Sequence, residues 1–216
     1  MGQTNMKWPS FRFSKRKHVP IFVVFGCEYY PWQIMALFRA MRGKVSKSDL
    51  INTNLFGFDL TLGRLRYNMT LGEIPLWEET YAPISVKNKI VLDVGAGMGE
   101  SAAFYFAKGA KKVVAIEPNP QDFTLLTENS MKNSWNIDTI QDVFKLEQLS
   151  IPHDFAKIDC EGGEVILLKY NNKLGPCVIE SHSDEITRSL VERFHFNSIV
   201  RPRNESSEAK LLINSE

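Results

Sequence analysis

Cysteine is scarce in this sequence and nowhere paired: Cys27, Cys160 and Cys177 are an odd set, widely spaced and without a C-x-x-C motif. That excludes a disulfide framework and a cysteine-built zinc site, and makes a reducing cytoplasm the expected setting. Long apolar runs are lacking as well. The most hydrophobic stretch, VPIFVVFGC at 19–27, is far shorter than the roughly 20 residues that cross a bilayer, and no cleavage-site pattern follows it. It reads as a buried strand, and no membrane span is expected. Charge of one sign is missing too. With 26 basic and 25 acidic residues the formal net charge is +1, so no global field selects nucleic acid or an acidic lipid surface, and any charged partner must be held locally. Histidine is limited to four positions, and His153 and His195 have no metal-ligand spacing, so no metal is expected. There is no internal repeat and no low-complexity linker.

What is present suits one α/β domain of 216 residues with an elaboration at one end. Residues 1–18 mix aromatics with KRKH at 15–18 and read as a solvated tail. WQIMALFRAMR at 32–42 places Ile34, Met35, Leu37, Phe38 and Met41 on one helical face, and the alternation over 54–70 predicts a hairpin around Gly63. Residues 1–60 are therefore expected to form a small α+β extension, and 61–216 the main domain. From about residue 88 strands and helices alternate. Strands are predicted at 89–94, 112–117, 137–140, 154–159 and 176–181, with helices at 99–108, 120–133, 163–170 and 184–194. The final segment reads as two strands joined by a polar turn. The predicted fold is a doubly wound, mostly parallel Rossmann-like sheet ending in an antiparallel hairpin.

The stretch VLDVGAGMGESAAFYFAKGAKKVVAIEPNP, at 91–120, joins a strand, a glycine-rich turn, a helix and a second strand ending in an acid. Gly95, Gly97 and Gly99 let the backbone turn tightly and approach a ligand. The third glycine of a dinucleotide fingerprint is replaced by Glu100, and Asp93 adds a second carboxylate, so a pyrophosphate would be repelled. S-adenosylmethionine, with an ammonium, a sulfonium and a neutral ribose, fits that charge far better. Glu117 stands 18 residues beyond Gly99, where an acid accepts hydrogen bonds from ribose hydroxyls. Asp142 follows a further strand and is placed to accept an adenine amine, with Val143 and Phe144 beside the ring. Glu100 and the lack of a Tyr-x-x-x-Lys pair argue against a nicotinamide-dependent oxidoreductase.

At these residues the chain resembles the class I S-adenosylmethionine-dependent methyltransferases. IEPNP at 116–120, LLTENSMKN at 125–133, KIDCEGGE at 157–164 and VIESH at 178–182 resemble, in order and register, the FkbM family, over about residues 60–215. The resemblance implies that Asp93, Gly95, Ala96, Gly97 and Gly99 line the methionine moiety, and that Glu117, Pro118 and Asn119 hold the ribose. It also implies that Asp142 and Val143 sit near the adenine, with Asp159 and Glu161 facing the methyl-transfer site. The implied reaction is methylation of an oxygen on a small molecule, sugar or glycan.

Ligands of such sheets bind beyond the carboxyl ends of the strands, where Asp159, Glu161, Glu180 and His182 emerge. Each is a candidate acceptor for the proton of a hydroxyl substrate. Glu161 has an alternative role, binding the cofactor ammonium or bracing the glycine turn; Glu164 reads as a helix-start acid, and Ser183 or Asp184 as a cap. Cys160 reads as a packed thiol. Two other functions stay open: an RNA or protein methyltransferase gripping its substrate through Arg12, Lys15, Arg16 and Lys17, and a catalytically silent scaffold that keeps the sheet.

Overall fold

The computed structural model describes residues 10–14, 19–24, 27–29, 49–200 and 210–215. The helix predicted at 32–42 and the basic residues 15–18 lie outside the described residues. β1 (Ser10–Ser14), β2 (Val19–Val24) and β3 (Cys27–Tyr29) form an antiparallel sheet of their own. Next come the hairpin β4 (Leu50–Leu55) and β5 (Phe58–Gly63), then helix α1 (Arg64–Thr80).

This hairpin corrects the sequence reading. The chain reverses at Phe56 and Gly57, both in the left-handed region with φ of 55° and 88°, and not at Gly63. Residues 64–70, predicted as a returning strand, are the first turns of α1. Gly72 and Pro75 stand inside that helix, and both disfavour helical backbone, so its pattern was illegible.

Among the described residues the main sheet has seven strands. β6 (Ile90–Val94), β7 (Lys112–Ile116), β8 (Ile137–Ile140), β9 (Phe155–Ile158) and β10 (Cys177–Ser181) are followed by β11 (Ser198–Val200) and β12 (Lys210–Asn214). Their spatial order is β11-β12-β10-β9-β6-β7-β8. β6 to β10 pair in parallel, while β12 runs antiparallel to both β10 and β11. The connections are α2 (Glu100–Ala107), α3 (Pro120–Lys132), α4 (Asp184–Arg193) and two 3-10 segments, Leu146–Ser150 and Gly163–Lys169. The second of these replaces the α-helix predicted at 163–170. Among the described residues no helix is long and apolar enough to cross a membrane.

Alternate side chains of each strand leave on opposite faces, and both faces are covered, which is why the strands read as nearly unbroken apolar runs. Val91, Val113, Phe155 and Val178 pack with Phe104, Tyr105, Leu126 and Trp77 on one face. Leu92, Val114, Ile158 and Ile179 pack with Leu167 and Leu190 on the other. The β4–β5 hairpin buries Leu55, Leu60 and Leu62 against Met98, Ala103 and Leu125.

Two asparagines one turn apart, Asn129 on α3 and Asn133 at its C-cap, complete that attachment. Asn129 Oδ1 accepts from Thr61 N at 2.7 Å, and its Nδ2 donates to Thr61 O at 3.0 Å and Met98 O at 2.8 Å. Asn133 repeats the first two contacts on Asp59, at 3.0 and 2.8 Å. Four residues of helix advance about 6 Å and two residues of strand about 6.6 Å, so the two side chains meet β5 as a neighbouring strand would.

Candidate active site

The carboxyl ends of the five parallel strands lie along one edge of the sheet, and the chain order reverses between β6 and β9. The glycine turn leaves β6 at this switch point. Gly95, Gly97 and Gly99 have φ of 75°, 56° and 99°, values that side chains resist. At Gly95 the absent side chain makes room for the protein itself: a Cβ there would stand 1.7 Å from the Asp159 carbonyl oxygen at the end of β9. Gly95 N and Ala96 N both donate to Ile116 O, at 2.9 and 3.1 Å, which ties the turn to β7.

Glu117 is buried at the end of β7. Its Oε2 accepts from Gly97 N and its Oε1 from Asn119 N, both at 2.8 Å. Burial raises its pKa, opposed in part by those two amides. Each oxygen retains a lone pair for a further donor. Asn119 caps α3, its Oδ1 accepting from Gln121 N at 2.9 Å and Asp122 N at 3.4 Å, while Pro118 is exposed. Beyond β8, Asp142 accepts from Lys145 Nζ at 2.6 Å and from Val143 N at 2.9 Å, contacts that lower its pKa, the lysine bond most. Val143 is exposed and Phe144 buried.

Asp93 is fully buried and points beneath the turn. Its Oδ2 accepts from Ser101 Oγ at 2.6 Å, and its Oδ1 lies 3.3 Å from Lys157 Nζ. Lys157 donates to Gly95 O at 2.7 Å and stands 3.5 Å from Asp159 Oδ2. Burial alone would push this ammonium toward neutrality, but Asp93 and then Asp159 outweigh it and raise its pKa. One buried cation thus connects β6, the glycine turn and β9. From α1, Arg66 pairs with Glu100 at 3.0 Å and brings a guanidinium nitrogen 3.0 Å from where a Gly97 side chain would begin. Glu100 is the main cause of its raised pKa.

The ends of β9 and β10 bring together all four of the predicted catalytic candidates. His182 Nε2 lies 3.6 Å from Asp159 Oδ1, 3.6 Å from Glu161 Oε2 and 4.0 Å from Glu180 Oε1. Glu180 Oε2 accepts from Tyr81 Oη at 2.7 Å, and the same hydroxyl is 3.5 Å from Asp159 Oδ2. Glu161 is 82% exposed and has a φ of 50°, an uncommon backbone for a glutamate. Fully buried Glu164 accepts from His182 N at 2.8 Å and from Gly162 N at 2.8 Å, and stands 3.2 Å from His182 Nδ1. Burial opposes charge on His182, but Glu164, Asp159, Glu180 and Glu161 together raise its pKa to about 9. Burial, then Glu164 and Asp159, push the Cys160 thiol up to about 12, which leaves it a packed group and not a nucleophile. Ser183 caps α4 by accepting from Ile186 N at 3.1 Å, and His153 Nδ1 contacts Ile151 O at 2.7 Å in a loop away from the cluster.

Sequence reasoning overlooked Arg66, Tyr81 and the part played by Lys157. A lysine inside the apolar strand FAKI is itself a signal, because an ammonium there must be paired. Arg66 and Tyr81 gave none, since they lie on or just after the unrecognised α1. The missing metal-ligand spacing has a similar cause: Asp159, Glu161 and His182 come from two strands, yet each offers a ligand atom, all within 4.8 Å of one another.

No family model matches the chain. A candidate protein N5-glutamine methyltransferase of Methanocaldococcus jannaschii is 40% identical over 63 residues, 29% of this chain and 32% of that one, so the chain spans about a third of that relative's length. The structure of TYW2 from M. jannaschii in complex with S-adenosylmethionine superposes with a TM-score of 0.56 and 18% identity, covering 79% of this chain and 86% of the other. Fibrillarin of Aeropyrum pernix with natively bound S-adenosylmethionine gives a TM-score of 0.53 and 12% identity, covering 95% and 98%. The fold is that of the class I methyltransferases.

Proposed function

We propose that this chain is an S-adenosylmethionine-dependent methyltransferase acting on an oxygen of a small molecule, sugar or glycan. The observation that carries the reading is the coincidence, at one switch point, of a glycine turn pinned to buried Glu117 and a bowl of carboxylates over β9 and β10. The remaining lone pairs of Glu117 would accept the two ribose hydroxyls. Exposed Val143 and Asp142 would meet the adenine, and the turn from Gly95 to Gly99 the methionine moiety. The cofactor supplies an electrophilic methyl on a sulfonium, and the residues around it hold the acceptor in line and exclude water. Asp159, Glu161 and Glu180 are the acceptors for the hydroxyl proton, directly or through one water.

An acidic rim disfavours a phosphate-rich substrate, and the FkbM-like motifs support an oxygen acceptor. The second reading, an RNA or protein acceptor, is favoured by the 63-residue match to the M. jannaschii protein. The division into an extension (1–60) and a transferase body (61–216) belongs to the same proposal, and the packing of Leu60 and Leu62 against Met98, Ala103 and Leu125 supports counting β5 with the body.

Calorimetric titration of S-adenosylmethionine and S-adenosylhomocysteine into the full chain tests the reading. Binding near micromolar strength, about −8 kcal/mol, weakened at least tenfold in Glu117→Ala, is expected. If neither compound binds, the reading fails.

A further inference from the structure

The side chains over β9 and β10 meet at ion-pair distance, and Asp159, Glu161 and Glu180 stop short of hydrogen bonds to the His182 ring. Asp159 and Glu161 oxygens stand 3.6 Å from His182 Nε2, and a Glu180 oxygen stands 4.0 Å from it. These separations exceed the 2.7–3.2 Å of an N–H···O bond. They are ordinary for atoms sharing a cation: at metal–ligand distances of about 2.1 Å, adjacent octahedral donors lie about 3.0 Å apart and opposite ones about 4.2 Å. The limit of 4.8 Å among the Asp159, Glu161 and His182 donors requires only a small contraction.

A second observation concerns the ring. Glu164, with no exposed surface, takes both the backbone amide of His182 and its Nδ1. The imidazole is therefore oriented from behind with Nε2 turned toward the carboxylates, which is how an outer carboxylate presents a metal-binding histidine. Lys157 is shared between Asp93, Gly95 O and Asp159, and the bowl still sets the carboxylates of Asp159, Glu161, Glu180 and Glu164 against the single imidazole of His182, an excess of negative charge.

We propose that Asp159, Glu161 and His182, with Glu180 beside them, bind a divalent first-row cation such as Mn2+, which displaces the Nε2 proton of His182 to solvent. Several oxygens and one imidazole suit such an ion better than calcium. Four protein donors leave two positions of an octahedron open. Resting on the function proposed above, those positions would hold the acceptor hydroxyl and an adjacent oxygen, so the substrate class is a vicinal diol of the kind sugars carry. The bound hydroxyl loses its proton to a carboxylate or to water, and its oxygen bonds the methyl carbon. The carbon–sulfur bond breaks with its electron pair on sulfur, leaving a neutral thioether.

Mn2+ titration of the full chain, followed by loss of the free-ion electron paramagnetic resonance signal, tests the site without turnover. One saturable site is expected, weakened at least tenfold in Glu161→Gln, a variant whose exposed position leaves folding intact, and weakened also in Asp159→Asn. Absence of saturable binding, or equal affinity in wild type and both variants, overturns the proposal. S-adenosylhomocysteine binding by the same samples separates the two readings: a chain that takes the thioether and no Mn2+ refutes only the cation site, and one that takes Mn2+ and no thioether refutes only the transferase.

Discussion

Lys157 keeps 3% of its side-chain surface exposed and lies between Asp93 and Asp159. Removing its charge would leave two carboxylates facing each other beneath the glycine turn, one of them fully buried. Breaking a buried pair from one side costs about 3–5 kcal/mol, because the remaining charge is uncompensated. Lys157→Met is accordingly expected to lower the unfolding free energy from urea denaturation by an amount in that range, and Lys157→Met/Asp93→Asn to recover part of it; equal stability of wild type and Lys157→Met would show the cation to be dispensable. The same residue shows what local reading can reach. A lone lysine in an apolar strand announces a buried partner, but which carboxylates answer it depends on β6 and β9 being neighbours, although their sequences are some 60 residues apart.

Secondary-structure elements carry their own lesson. The five parallel strands were legible to within a residue or so, because apolar runs bounded by Gly, Asn and Pro have few other readings. Helix α1 was not, since Gly72 and Pro75 spoil its propensity and tertiary contacts through Trp77 and Tyr81 hold it in place. The docking of β5 on α3 was hidden for another reason: asparagines at helical spacing look like surface polarity until a strand edge lies opposite them. Asn129 is 1% exposed and satisfies three backbone groups, whereas Asn133 is half-buried and part of its network meets solvent. Asn129→Ala is expected to destabilise the chain by about 2–3 kcal/mol by leaving buried backbone groups unpaired, with faster hydrogen exchange at the Thr61 amide. Asn133→Ala should cost clearly less. Similar losses from the two substitutions, in chemical denaturation, would remove the distinction.

At the level of the whole molecule, cofactor binding and stability are one equilibrium. A ligand present at 100 times its Kd stabilises the folded chain by about 2.7 kcal/mol, so S-adenosylhomocysteine should raise the thermal midpoint. The gain depends on pH through Glu117. Its pKa is raised in the free protein by burial, and in the proposed pose only the ionised carboxylate would accept from both ribose hydroxyls. Protonation therefore competes with the ligand. The stabilisation is full above that raised pKa and declines as pH falls through it, beginning at higher pH than an ordinary glutamate would dictate. Glu117→Gln should show a smaller gain that does not change over the same interval. A wild-type gain that is constant down to the ordinary glutamate range would remove Glu117 from the ribose.

The sequence by itself determined the alternating architecture, the glycine turn and the acids that end successive strands. Strand periodicity and left-handed turns are local properties of neighbouring residues. Only the tertiary structure decided that Asp93 faces Lys157 beneath the turn, that Gly95 makes way for the Asp159 carbonyl, and that Asp159, Glu161, Glu180 and His182 share one bowl. Those relations join residues on different strands. They follow from which strand lies beside which, and that is settled by burial of both sheet faces at once, a global condition that no short stretch of sequence contains.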